Sequence, residues 1–182
     1  MNIAYLAWGS LVWDSRDLPV RRPWFHDGPL LAVEFCRQSQ DDRITLVISP
    51  GKPQVRVLWG LSSVLNVDDA VDCLRMREGI PAKNRDLHIG RWSVGESKGN
   101  IDQLIIDWAS RMSLDAVVWT ALPPKFRGND WVIPSADEVV QHLVELPARK
   151  QRNAEEYIRK VPIKIDTDYR RHIEAKLGWT PI

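Results

Sequence analysis

The apolar residues of this chain arrive in short runs, each cut off within a few positions by Gly, Pro, Ser or a charged residue. None approaches the roughly 18–20 residues that cross a bilayer, so the runs must bury against one another. In the first half they have strand length and are rich in branched and aromatic side chains. Ile3 to Trp8 stops at Gly9-Ser10, and a connection rich in Pro, Arg and Asp covers residues 14 to 29. Leu31 to Arg37 and Arg43 to Ser49 read as a pair of strands joined across Gln38 to Asp42, and Val55 to Leu61 follows Pro50-Gly51-Lys52-Pro53.

Helical spacing begins later. Val67, Ala70, Val71 and Leu74 share one face, which predicts a helix over 68–77 closed by Gly79 and Pro81. A strand is expected over 87–94. A helix is expected from Asn100, with Ile101, Leu104, Ile105, Trp108 and Met112 on its apolar face. Ala116 to Leu122 reads as a buried strand stopped by Pro123-Pro124. Ser135 with Glu138 is a capping box that opens a helix to Leu146, and Asn153 with Glu156 repeats that pattern before Tyr157. Asp168 to Leu177 reads as a last helix stopped by Gly178. Strands first and helices later predict the α+β class.

At 182 residues the chain suits one sizeable core, and no repeat or linker divides it. A single domain over 1–182 is expected, with 123–182 as a helical extension packed on it. Lys and Arg number 25 against 24 Asp and Glu, so the net charge of +1 gives no electrostatic footprint for nucleic acid. The N-terminus lacks a basic segment followed by a long apolar one, which makes the cytoplasm the expected compartment and leaves no membrane partner in view. Two cysteines, Cys36 and Cys73, make neither a disulfide framework nor a zinc set. Nine tryptophans are spread along the whole chain, a distribution that fits core and pocket walls.

Two places could carry chemistry. Gly9-Ser10 follows the first strand, where a sharp turn can align successive amides toward a carboxylate or an oxyanion; a plain turn is the other reading. Glu78 stands four residues after Leu74 and seven after Val71. A continued helix would turn its carboxylate to the apolar face, as a proton shuttle needs. A helix that has already ended would leave it solvated beside Arg75 or Arg77. Glu138 and Glu156 are explained by caps, Glu145, Glu155 and Glu174 by polar helix faces, and Glu34 by alternation in a strand. Ser10 lacks the Gly-x-Ser-x-Gly setting of a hydrolase, His26, His88, His142 and His172 make no metal motif, and no phosphate-binding glycine loop occurs.

Taken together, these segments resemble the gamma-glutamylcyclotransferase-like superfamily. Tyr5-Leu6-Ala7-Trp8-Gly9-Ser10-Leu11-Val12-Trp13 is similar to its N-terminal strand and turn, closest to the ChaC-type, glutathione-degrading branch. Val33 to Arg37 resembles that branch's second strand, Val57 to Leu61 the strand before its catalytic helix, and Cys73-Leu74-Arg75-Met76-Arg77-Glu78-Gly79 the end of that helix. The agreement spans roughly residues 3 to 120.

The resemblance implies a small mixed β-barrel flanked by helices, with one pocket beside the first turn. It implies an enzyme that cyclises an L-γ-glutamyl amide to 5-oxoproline and frees the amine, with Glu78 as general acid and base. Ala7, Trp8, Gly9, Ser10 and Leu11 would bind substrate, and Tyr157 matches a tyrosine near the substrate, a core role being the alternative. No metal, nucleotide or other cofactor is required. Trp8 stands where the family commonly has Tyr, which removes a phenol and reshapes the pocket. A binding module without catalysis, and an amide hydrolase at the same pocket, are the competing functions.

Overall fold

The computed structural model describes residues 1–96 and 103–182. In chain order its elements are β1 (Ile3–Ala7), a 3-10 turn (Ser10–Val12), β2 (Leu30–Leu31), β3 (Val33–Gln38), β4 (Ile44–Ile48), β5 (Val55–Arg56), β6 (Leu58–Leu61), α1 (Val67–Arg77), a second 3-10 turn (Ala82–Asn84), α2 (Arg85–His88), β7 (Ile89–Ser93), α3 (Gln103–Arg111), β8 (Ala116–Thr120), β9 (Lys125–Phe126), β10 (Asn129–Asp130), α4 (Ala136–Glu145), α5 (Ala148–Lys160) and α6 (Asp168–Leu177). The class is α+β, as expected. The start of the third helix expected at Asn100 and Ile101 lies outside the described residues.

Two compact units divide the chain. The first comprises 1–7, 14–31 and 56–122, and the second 8–13, 32–55 and 123–182. Residues 123–182 thus share a unit with two earlier segments.

In the first unit β1 is central, antiparallel to β6 on one side and parallel to β8 on the other, and β7 completes the order β6-β1-β8-β7. All five residues of β1 are buried, which is why its sequence is apolar without alternation. The outer edge of β6 is not left open. Phe25 and Trp59 exchange backbone hydrogen bonds of 2.8 and 3.0 Å, and Arg21 N–H donates to Leu61 O at 2.7 Å. The Pro- and Arg-rich connection therefore serves as an edge cover.

In the second unit β3 and β4 form an antiparallel hairpin, with a register shift between Phe35 and Arg37, inside a sheet ordered β10-β9-β3-β4. The β9–β10 hairpin is a feature that the Pro123-Pro124 stop signal concealed. Phe126 pairs with Asn129 across a two-residue loop, and Arg127 and Gly128 take φ of 49° and 83°, as a type I′ turn demands.

The expected β-barrel is corrected here. A barrel needs a cyclic ladder, whereas the longer strands divide between two open four-stranded sheets, each with two end strands. The helices follow their local signals more closely. Ser135 and Glu138 close their capping box on α4, and α6 ends at Gly178 with φ of 71°. The second expected box fails. Pro147 opens α5 six residues before Asn153, so Asn153 lies mid-helix and Glu156 pairs with Lys160 instead.

Candidate functional site

Glu78 owes its position to how α1 starts and stops. Asn66 caps the helix by accepting from Asp68 N and Asp69 N at 2.8 and 3.2 Å, and those two aspartates complement the positive end of the helix. Ala70, Val71 and Leu74 form the buried stripe. At the other end Gly79 takes φ of 67°, its N–H bonds Met76 O at 3.1 Å, and Ile80 N–H reaches back to Arg75 O at 3.0 Å. This paired closure is a Schellman motif, and it makes Glu78 the last residue with helical backbone angles. The helix has ended, yet Glu78 is not solvated: its side chain is 18% exposed.

Its partner is the next residue back. Arg77 Nη1 donates to Glu78 Oε1 at 2.8 Å, and the Arg77 side chain is only 6% exposed. The same guanidinium donates through Nε to Asp14 O at 3.2 Å and again through Nη2. Arg16 returns the contact, donating from Nη1 to Arg77 O at 3.2 Å, one of the carbonyls that a helix end leaves without an intrahelical donor. Segment 14–16 and the end of α1 are thus tied by reciprocal arginines, and Arg16 adopts a left-handed φ of 49° to do so. Within this unit no described residue bonds Glu78 Oε2. A half-buried, oriented carboxylate with one oxygen spare is equipped to exchange a proton with a bound group.

Ala7 also belongs to the first unit, as the buried last residue of β1 opposite Leu58. Trp8, Gly9, Ser10, Leu11 and Tyr157 belong to the second. Two of these meet at Leu46 on β4, an end strand of its sheet. Trp8 Nε1 donates to Leu46 O at 3.2 Å, and the Tyr157 hydroxyl accepts from Leu46 N at 3.3 Å. Two aromatic side chains therefore satisfy both outward backbone groups of one edge residue. The Tyr157 ring stands edge-on to Trp13 at 5.6 Å, and the Arg43 guanidinium lies 5.5 Å from its centre. Tyr157 is buried within its unit.

Gly9 lies close against a side chain of its own unit. Its φ is −124°, so no left-handed turn requires glycine there. A Cβ at Gly9 would lie 2.6 Å from the Tyr157 hydroxyl oxygen, so a larger residue there requires that side chain to shift. Gly9 O accepts from Val12 N at 3.0 Å, which closes the 3-10 turn over Ser10–Val12; Leu11 is buried and Ser10 half-buried.

Glu34 is the residue that sequence reasoning passed over. Alternation assigned it an outward place, but β3 is buried on both faces and Glu34 is 1% exposed. Its Oε1 accepts from Phe35 N at 2.8 Å and from the Thr167 hydroxyl, and Oε2 accepts from Tyr169 N at 3.2 Å. Burial pushes its carboxyl above the ordinary value, and the hydrogen bonds from Thr167, Phe35 and Tyr169 and the charge of Lys52 oppose that shift. The available signal was a lone acid among the apolar residues Val33, Phe35 and Cys36, which has to find donors to be tolerated. Cys36 is also buried, its thiol pushed up to about 11 by desolvation, which removes the thiolate character a nucleophile needs.

Among the described residues no three His, Cys, Asp or Glu side chains group so as to hold a metal ion, and no helix is long and apolar enough to cross a membrane. Comparison with protein-family models, with curated proteins and with solved structures finds no match to this chain.

Proposed function

We propose that the protein cyclises an L-γ-glutamyl amide to 5-oxoproline, releasing the free amine, with Glu78 as general base and then general acid. The observation that carries this reading is Glu78 itself. It closes α1 in the segment Arg77-Glu78-Gly79, is largely buried, and has one carboxylate oxygen bound and the other spare. The accompanying support is the order Trp8-Gly9-Ser10-Leu11, then β6, then α1, which resembles the order in the gamma-glutamylcyclotransferase-like superfamily.

The chemistry balances without an added reagent. Glu78 accepts a proton from the substrate's α-ammonium group, and the freed amine attacks the γ-carbonyl carbon of the same molecule. A five-membered lactam forms, the original amide C–N bond breaks, the proton held on Glu78 passes to the departing nitrogen, and Glu78 relays the second proton that the ring nitrogen sheds, so that the amine leaves as an ammonium ion. Holding nucleophile and carbonyl within one substrate removes most of the entropic cost of the encounter.

The test is release of 5-oxoproline from a panel of γ-glutamyl peptides and amines, glutathione among them. Product formation from any member supports the reading, and the preferred member names the leaving group. Release of glutamate in place of 5-oxoproline would mean amide hydrolysis. Saturable binding with neither product would mean a binding module.

A further inference from the structure

Resting on the cyclotransferase reading, we infer that Arg77 is a positioning residue that selects Oε2 of Glu78 as the oxygen that carries the proton. A carboxylate at a helix C-terminus is poorly placed electrostatically, because the unpaired carbonyls there present negative potential. Left alone, the Glu78 side chain would rotate toward water. Arg77 prevents that through the shape of its donor set. One planar guanidinium bonds Glu78 Oε1 at 2.8 Å and, through its other nitrogens, the carbonyl of Asp14.

The fork is itself fixed. Its side chain is 6% exposed, and Arg16 holds the Arg77 carbonyl at 3.2 Å, so both ends of the residue are pinned to segment 14–16. With Oε1 committed to Nη1, the oxygen left for a substrate proton is Oε2. The charged and titratable groups bonded to one another at this corner are Asp14, Arg16, Arg77 and Glu78. Lysine in place of Arg77 would offer one point of charge and no second, geometrically fixed donor. Glutamine could reach Oε1 with one N–H and would give up Asp14.

The experiment compares wild type, Arg77→Met and Arg77→Gln in 5-oxoproline release, with the side-chain 15N signals of Arg77 followed by NMR in wild type and Glu78→Gln. Misplacing a reacting group by about 1 Å costs on the order of 100-fold in rate. Arg77→Met is therefore expected to lower kcat by about 100-fold with KM unchanged, and Arg77→Gln to regain part of that loss through its single N–H. Slow rotation about the Arg77 guanidinium bonds is expected in wild type and faster rotation in Glu78→Gln.

A wild-type kcat in Arg77→Met, equal falls in kcat and in folded fraction with no recovery in Arg77→Gln, or free rotation in the wild type would each overturn the inference while leaving the cyclotransferase reading in place. A wild type that rotates slowly at Arg77 and releases no 5-oxoproline from any panel member would instead overturn the reading, and this inference with it.

Discussion

Two carboxylates sit at opposite kinds of helix end. Glu34 meets the N-terminus of α6, where Tyr169 N–H and the Thr167 hydroxyl point at it and Phe35 N–H completes the set. Glu78 closes the C-terminus of α1, where one arginine holds one of its oxygens. The first is the more deeply buried, yet every donor around it belongs to the fold and both of its oxygens are committed. The second keeps an oxygen uncommitted within its unit. Depth of burial therefore does not by itself leave a carboxylate with bonding capacity to spare. A carboxylate can transfer protons only where its hydrogen-bonding capacity exceeds what the fold consumes.

The sharpest break between the two should come from Glu78→Gln. Its amide oxygen can accept a weaker, uncharged hydrogen bond from Arg77, which still holds Asp14, so the melting temperature should stay near that of wild type. A general base can no longer operate, and 5-oxoproline release should fall by about 100-fold or more. Retained turnover would erase the distinction drawn above.

Glu34→Ala should do the reverse, acting on stability. It leaves Phe35 N–H, Tyr169 N–H and the Thr167 hydroxyl without their acceptor. Buried donors stripped of partners cost about 1–3 kcal/mol each where no water replaces the acceptor. A loss of roughly 3 kcal/mol by urea unfolding is expected, and a loss near zero would mean that the carboxylate is not a structural cap.

Gly9→Ala tests whether the second unit's substrate-candidate residues are equally committed to the fold. A methyl group 2.6 Å from the Tyr157 hydroxyl has to displace it, at about 1–3 kcal/mol. The double variant Gly9→Ala with Tyr157→Phe should recover most of that cost, because the nearest remaining ring atom is 3.7 Å away. Additive losses in the double-mutant cycle would show that the two positions are uncoupled.

The smallest expected effect is in the pH dependence of stability. The folded state holds the Glu34 carboxyl proton above its ordinary value of 4.5, chiefly through burial. The unfolded chain therefore loses that proton first as pH rises. Glu34's contribution is fully present below the ordinary value and declines as pH climbs through the folded value. Subtracting the unfolding free energies of Glu34→Gln from those of wild type should give a difference that falls over that interval. A difference that rises would mean that hydrogen bonding to the ionised carboxylate outweighs burial.

Local signals carried some of this structure plainly. The apolar stripe of α1 and the Gly79 stop, the Ser135–Glu138 box and the Gly178 end were all legible, because each depends on residues within one or two helical turns. The same local logic misassigned Asn153 and Glu156. A capping box and a mid-helix Asn-x-x-Glu have the same spelling, and Pro147 had already opened the helix. Glu34 was illegible for another reason: alternation assigns a face only when a strand has one side in water, and β3 has both sides buried.

By itself the sequence determined that this chain mixes short buried strands with capped helices, that no apolar run crosses a bilayer, and that a helix stops at Gly79. Tertiary structure alone decided that the longer strands divide between two open sheets, that Gly9 lies close to Tyr157, that Glu34 is enclosed, and that Arg77 holds Asp14 and Glu78 together. The first group depends on steric and hydrogen-bonding rules between near neighbours, which spacing records. The second depends on partners far apart in the chain, Gly9 with Tyr157 and Glu34 with Thr167, and no local pattern encodes which distant group a side chain will meet.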